Sequence, residues 1–447
     1  MRFAIILMMD TMKADLVIKG GMVLTMDPSL TLYEKADVVI SGSKIIEIAP
    51  ETEYKAKKVI EADNKLIMPG MINTHTHAAM VMMRGLADDM PLDIWWKDFI
   101  FPIEKRFLDE DFIRVGVSLA AIEMIKSGTT AFSDMYFFED AAAEVCKKIG
   151  IRAFLGEGIL DFPSPDCPTA DDSLAYIEKL YEKWGKDQII HLEVAPHTPY
   201  TCSPAVLEKA RKLADKYDLP LHIHVAETAS EVSEIRLRYG MTPVEHLDKI
   251  GFLSERVKAV HCVHLTPEDI QILKKRNVKV SHCQESNMKL ASGTAPVVEM
   301  LREGVTVGLG TDGAASNNNL DMFDEMDAVA KFHKAVRGDP TVMDAKTVVK
   351  LATIEAAKVM LKEQEIGSLE VGKTADLIIV DLDRPHLTPL YNVYSHLVYS
   401  AGGSEVDSVI INGKLVMENR DILTIDEDEV IDQANFLAQR IKNEIKI

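Results

Sequence analysis

Apolar and polar positions follow two different rhythms along this chain. From Ala14 to about Met68 they alternate in short runs, DLVIKGGMVLTM, KADVVISGSKIIEIAP and KVIEADNKLIMPG, broken by Gly, Asp-Pro and Ser-Gly. Alternation with such punctuation predicts strands and tight turns. The same rhythm returns near the C-terminus in IGSLEVGKTADLIIVDLD and VDSVIINGKLVMEN. Two β-rich ends around a different middle predict one small discontinuous β-domain, residues 14–68 with 365–425.

In the middle, residues 69–364, short unbroken apolar runs alternate with helix-period stretches such as PAVLEKARKLADKY, the mark of βα units around a parallel sheet. The runs are GMINTHTH, TTAFSDMY, IRAFLGEG, IIHLEVAPH, LPLHIHVAE, VKAVHCVHL, VKVSHC and GVTVGLGTD. Eight of them predict a closed (β/α)8 TIM-like barrel, so the fold class is α/β. Residues 427–447 read as an amphipathic C-terminal helix docked on the rest.

Length and composition suit this division. The 447 residues, 47% hydrophobic and 27% charged, hold ample material for one large and one small domain. A formal charge of −20 excludes a nucleic-acid partner, because no basic stripe is present to neutralise phosphates. Five cysteines without CxxC pairing predict reduced thiols and a cytoplasmic location. The opening MRFAIILMMD is too short for a spanning helix, which predicts no membrane association, and a second start at Met12 makes residues 1–11 an extension outside the fold.

Candidate chemistry gathers at the ends of the predicted strands. In GMINTHTH, His75 and His77 are separated by one residue; on a strand such side chains share a face and converge. His197 ends run four, His224 and Glu227 run five, Asp312 run eight, while His261 lies on run six and His282 on run seven. In a parallel barrel those ends build the open mouth. So many buried polar groups at one rim need a ligand in compensation. His75, His77, His224 and Asp312 supply a zinc-type donor set, with iron and manganese also compatible. HLEVAPH lacks the lysine that holds a second ion in many two-metal barrels, which favours one metal. Glu227 is the candidate for moving a proton from water to a substrate ring nitrogen, with Asp312 and His261 orienting the nucleophile. His222 lies one step deeper, behind the ligands or in the core.

Together PGMINTHTH, HIHVAET, AVHCVHL, SNMKLASG and GLGTDGAASNN resemble the amidohydrolase superfamily. Within it the chain is similar to the methylthioadenosine and S-adenosylhomocysteine deaminase group, which includes 5′-deoxyadenosine deaminases. The likeness runs from about Ala14 to about Asn419. It implies a deformed barrel flanked by a β-sandwich, one divalent metal, a homo-oligomer and a place in S-adenosylmethionine recycling. The implied reaction removes the adenine 6-amino group of a nucleoside by hydrolysis, giving the inosine analogue and ammonia. Another amino-heterocycle, such as guanine, cytosine or a triazine, is the alternative substrate.

By motif, His75, His77, His224 and Asp312 match the family's metal ligands. Glu104 in FPIEKRF matches its ribose-binding glutamate, His197 in APHTPY its substrate histidine, and Glu227 its proton shuttle; Glu157, His282 and Asp312 are further expected substrate contacts. Two departures stand out. Gln284 replaces a usual proline near His282, and GEG with Glu157 stands where some members carry an arginine suited to a homocysteine carboxylate. A carboxylate at Glu157 predicts repulsion of S-adenosylhomocysteine and preference for a smaller 5′ group.

Overall fold

The computed structural model describes residues 12–445; residues 1–11, read as an extension, lie outside them. Eight parallel strands follow one another around a single sheet: Met71–Thr76, Thr129–Tyr136, Arg152–Ile159, Ile190–Pro196, Leu221–Val225, Val257–His261, Lys279–His282 and Val307–Leu309. Seven lie within the runs read from the sequence, and the third ends at Ile159, one residue past its run IRAFLGEG. Strand eight meets strand one, where Thr74 Oγ1 donates to the Leu309 carbonyl (2.8 Å) and the Asp312 N–H to the His75 carbonyl (3.0 Å). The strands are buried on both faces, which is why they read as unbroken apolar runs. At their N-terminal ends Ile72, Ala131 and Phe154 pack with Ala356, Ala357 and Met360, so the short helix Ile354–Val359 closes that end.

A separate mixed sheet draws strands from both chain ends. Lys65–Pro69 runs antiparallel to Leu377–Asp381 and pairs in parallel with Met12–Leu24. Leu16, Ile18, Val38, Ile40, Ile67, Leu377 and Ile379 form its core. The chain passes between the sheets at Gly70, where a β-carbon would lie 2.1 Å from the Thr130 side chain, so only glycine fits. A buried ion pair, Arg152 Nε to Asp376 Oδ2 at 2.7 Å, ties the base of the barrel to this sheet.

Two later segments return to the barrel wall. Helix Val393–Tyr399, between strands of the mixed sheet, packs on helices Met322–Arg337 and Ala345–Ala352. The C-terminal helix Glu427–Ile445 lies on helix Glu110–Lys126, pinned by Lys126 to Glu427 (2.6 Å) and Arg106 to Glu444 (2.7 Å). All five cysteines are buried and unpaired. Among the described residues, no helix is long and apolar enough to cross a membrane.

Candidate active site

The C-terminal ends of the barrel strands bring three imidazoles and one carboxylate together. His224 Nε2 lies 3.2 Å from His75 Nε2, and the Nε2 atoms of His75 and His77 each lie 3.3 Å from Asp312 Oδ1. The opposite ring nitrogens are tied. His77 Nδ1 donates to the Met135 carbonyl (2.6 Å), His224 Nδ1 to the His197 carbonyl (2.9 Å), and His75 Nδ1 meets His222 Nε2 at 2.8 Å. A carbonyl only accepts, so His77 and His224 keep their Nε2 lone pairs for the centre. Asp312 Oδ2 accepts from Ser286 (2.6 Å) and Ser316 (2.9 Å). Convergent lone pairs, fixed from behind and facing a carboxylate, suit a divalent cation.

Glu227 sits in the turn between strand five and helix Ala229–Tyr239. That turn is clamped: Thr228 caps the helix by accepting from the Glu231 N–H, and the Glu231 carboxylate accepts the N–H groups of Ala226 (2.7 Å) and Glu227 (2.8 Å). Burial, above all, raises the Glu227 carboxyl above its ordinary value. Its Oε2 lies 3.7 Å from His261 Nε2, while His261 Nδ1 donates to Asn287 Oδ1 at 3.0 Å. Ala226, His261, Cys262 and Asp312 all have positive φ, between 50 and 67°. Left-handed backbone at non-glycine residues costs about 1–3 kcal/mol each and persists where surrounding bonds over-determine it. Here those bonds include Cys262 N–H to the Val225 carbonyl and Asp312 N–H to the His75 carbonyl.

These groups open into a cavity of about 830 Å³. Glu104, His197 and Glu227 line it, as do His77, His224, His261 and Asp312. Glu104 is only 5% exposed, and its Oε1 accepts from the Tyr136 hydroxyl at 2.7 Å. Trp95 and Trp96, on a π-helical turn over Trp95–Ile100, form part of the apolar wall, and the Trp96 ring lies nearly parallel to that of His197. Lys289 reaches Asp88 (2.5 Å), clasping the end of helix Gln284–Lys289, after strand seven, to the connection after strand one.

Two predicted substrate residues stand elsewhere. Glu157 is wholly buried but faces away from the cavity, accepting the N–H of Glu139 (3.2 Å) at the start of helix Glu139–Ile149. On that strand the cavity-lining position is Gly158, one residue along. Burial also pushes the Glu157 carboxyl well above its usual range, so it presents no charge to a substrate. The repulsion predicted for it therefore has no basis. His282 likewise faces outward, towards His333 on helix Met322–Arg337, and bonds Gln284 Oε1 at 3.0 Å.

Other contributors escape sequence reading. Tyr136 at the end of strand two, Ser286 and Glu231 on the helices after strands seven and five, and Ser316 in the loop after strand eight support Glu104, Asp312 and Glu227, with no spacing to mark them. Behind His75, the Glu193 carboxylate meets His222 Nδ1 (2.9 Å) and Lys258 Nζ (2.9 Å) across the barrel interior. HIHVAE was a signal for His222 alone.

Residues 66–416 match the Amidohydrolase family. The chain belongs to the amidohydrolase family. Within this family it is 46% identical to a 5-methylthioadenosine/S-adenosylhomocysteine deaminase of Syntrophobacter fumaroxidans, over 97% of this chain and 100% of that one. It is 45% identical to a 5′-deoxyadenosine deaminase of Methanosarcina acetivorans, covering 96% and 98% of the two chains. Among solved structures, a zinc-bound adenosine deaminase from Xanthomonas campestris superposes with a TM-score of 0.95 at 38% identity, covering 97% and 100%. As an amidohydrolase, this chain has the implied barrel, and a separate mixed sheet stands where the resemblance implied a flanking β-sandwich.

Proposed function

We propose that this amidohydrolase is a metal-dependent deaminase of adenosine-type nucleosides: 5′-deoxyadenosine, 5′-methylthioadenosine, S-adenosylhomocysteine and adenosine. His75, His77, His224 and Asp312 would hold one divalent ion, zinc by analogy with the bound metal of the Xanthomonas structure. Such an ion supplies Lewis acidity that makes water nucleophilic near neutral pH. Glu227 takes one proton from the attacking water and delivers it to the ring nitrogen beside the amino-bearing carbon. Its raised carboxyl suits both halves of that transfer. His261, with Nδ1 committed to Asn287, offers Nε2 to the second water proton. That proton leaves with the amino group as ammonia when the carbon–nitrogen bond breaks, and the ring keeps the oxygen.

One observation supports a nucleoside over a bare heterocycle. Glu104 is a buried carboxylate on the cavity wall, partnered by Tyr136 and open to the cavity, a place for ribose hydroxyl donors. The test is loss of nucleoside ultraviolet absorbance on the four substrates in parallel, with Glu227→Gln as control. Turnover that disappears in the control is expected. Silence on all four, with ammonia released from guanine, cytosine or a triazine, would overturn the proposal.

A further inference from the structure

His75 differs from the other two imidazoles in what holds it. His77 and His224 donate to carbonyl oxygens, which settles their tautomers. His75 Nδ1 instead faces another imidazole nitrogen, His222 Nε2, and an imidazole nitrogen either donates or accepts. The next link decides which. His222 Nδ1 lies 2.9 Å from Glu193 Oε2, and an ionised carboxylate only accepts. Lys258 Nζ lies 3.0 and 2.9 Å from the two Glu193 oxygens and also donates to Ser133 Oγ, while the Ser133 hydroxyl donates to Glu193 Oε2 at 2.7 Å. Glu193 is thus held as a carboxylate, His222 donates from Nδ1, and its Nε2 accepts from His75 Nδ1–H. Ser133, Glu193, His222 and Lys258 are all at most 2% exposed, so water does not substitute for a missing link.

We infer that Glu193, His222 and Lys258 are positioning residues of the metal centre, fixing the Nδ1–H tautomer of His75 so that its Nε2 lone pair is turned to the ion. This rests on the metal-centre reading above. The chain spans strands two, four, five and six before it reaches strand one. It places one negative charge behind this ligand, balanced by one positive charge further back, whereas the other two imidazoles have neutral oxygens behind them. Support of this kind sets ligand orientation and basicity.

The test measures zinc affinity of the full chain by chelator competition, with the visible spectrum of the cobalt-loaded protein as a second readout. Glu193→Gln keeps the shape, removes the charge and lets an amide donate to His222. Glu193→Gln/Lys258→Met also removes the buried ammonium. Arg152→Met, which breaks the other buried pair at the base of the barrel, is the control for lost stability alone. Zinc affinity is expected to fall about 10–100-fold in both Glu193 variants, with altered cobalt bands, and to hold in the control. Affinity within about twofold of wild type in either folded Glu193 variant would overturn the inference. Wild-type protein that binds no zinc would instead sink the metal-centre reading.

Histidine-selective nitrogen NMR of the unsubstituted protein reads the tautomers directly and does not depend on any variant folding. Nδ1–H on both His75 and His222 is expected; Nε2–H on His222 overturns the inference.

Discussion

His75 and Glu157 are both wholly buried, and both lie near the mouth end of a barrel strand, yet they belong to different regions of the molecule. His75 turns into the barrel, where its ring meets Asp312, His222 and His224. Glu157 turns outward to the layer between strand three and its covering helix, where its carboxyl meets the Glu139 backbone. In a βα barrel both faces of a strand are dry, so burial does not distinguish a site from a wall. Parity along the strand does, because one residue of shift exchanges the two faces.

The contrast is broken most severely at its strong end. His75→Gln removes one imidazole from the centre; loss of several kcal/mol of transition-state stabilisation, about 10³–10⁴-fold in kcat/KM, is expected from steady-state kinetics on 5′-methylthioadenosine. Beneath that ligand, Glu193→Met leaves Lys258 as a lone buried ammonium. Denaturant unfolding at neutral pH is expected to show a loss of about 3–5 kcal/mol.

The Glu193 pair also carries a pH signature. Burial opposes ionisation, but Lys258 and His222 outweigh it and hold the Glu193 carboxyl at about 2, below its ordinary value of 4.5. A depressed carboxyl stabilises the fold above its unfolded value and loses that contribution as pH falls through the folded one. The stability advantage of wild type over Glu193→Gln is therefore expected to be full above about pH 4.5 and to shrink towards about pH 2, measured by unfolding across that range.

Further from the centre, Glu104→Gln is expected to cost about 1.5–3 kcal/mol in kcat/KM on nucleosides, mostly through KM, the scale of a hydrogen bond to a charged group. At the weak end stands Glu157→Gln. The ratio of efficiencies on 5′-methylthioadenosine and S-adenosylhomocysteine is expected to change by less than about twofold, since the side chain meets neither cavity nor substrate. A larger change would return strand three to the specificity problem.

The barrel was legible because strands buried on both faces leave unbroken apolar runs, and the positions of His75, His77, His224 and Asp312 because polar residues at the ends of such runs are costly without a ligand. What failed was facing. Family position and a place at the strand end point to Glu157 and His282, whereas the strand's parity, with Gly158 on the cavity side, and the covering helices decide which way each side chain turns. Glu104 lies in a helix within the long first βα connection, and only the family resemblance pointed to it. Glu193 and Lys258 are distant in sequence and meet across the barrel interior, a juxtaposition no local pattern encodes.

The pairing of Lys65–Pro69 with Leu377–Asp381 has a consequence for the order in which the protein is made. One strand leaves the ribosome roughly 300 residues before its partner, a wait of about 15–60 s at ordinary rates of synthesis. During that interval the early strands offer an open edge to neighbouring chains. The mixed sheet thus stays incomplete long after its first strands are made, and in that interval a nascent chain is exposed to mispairing.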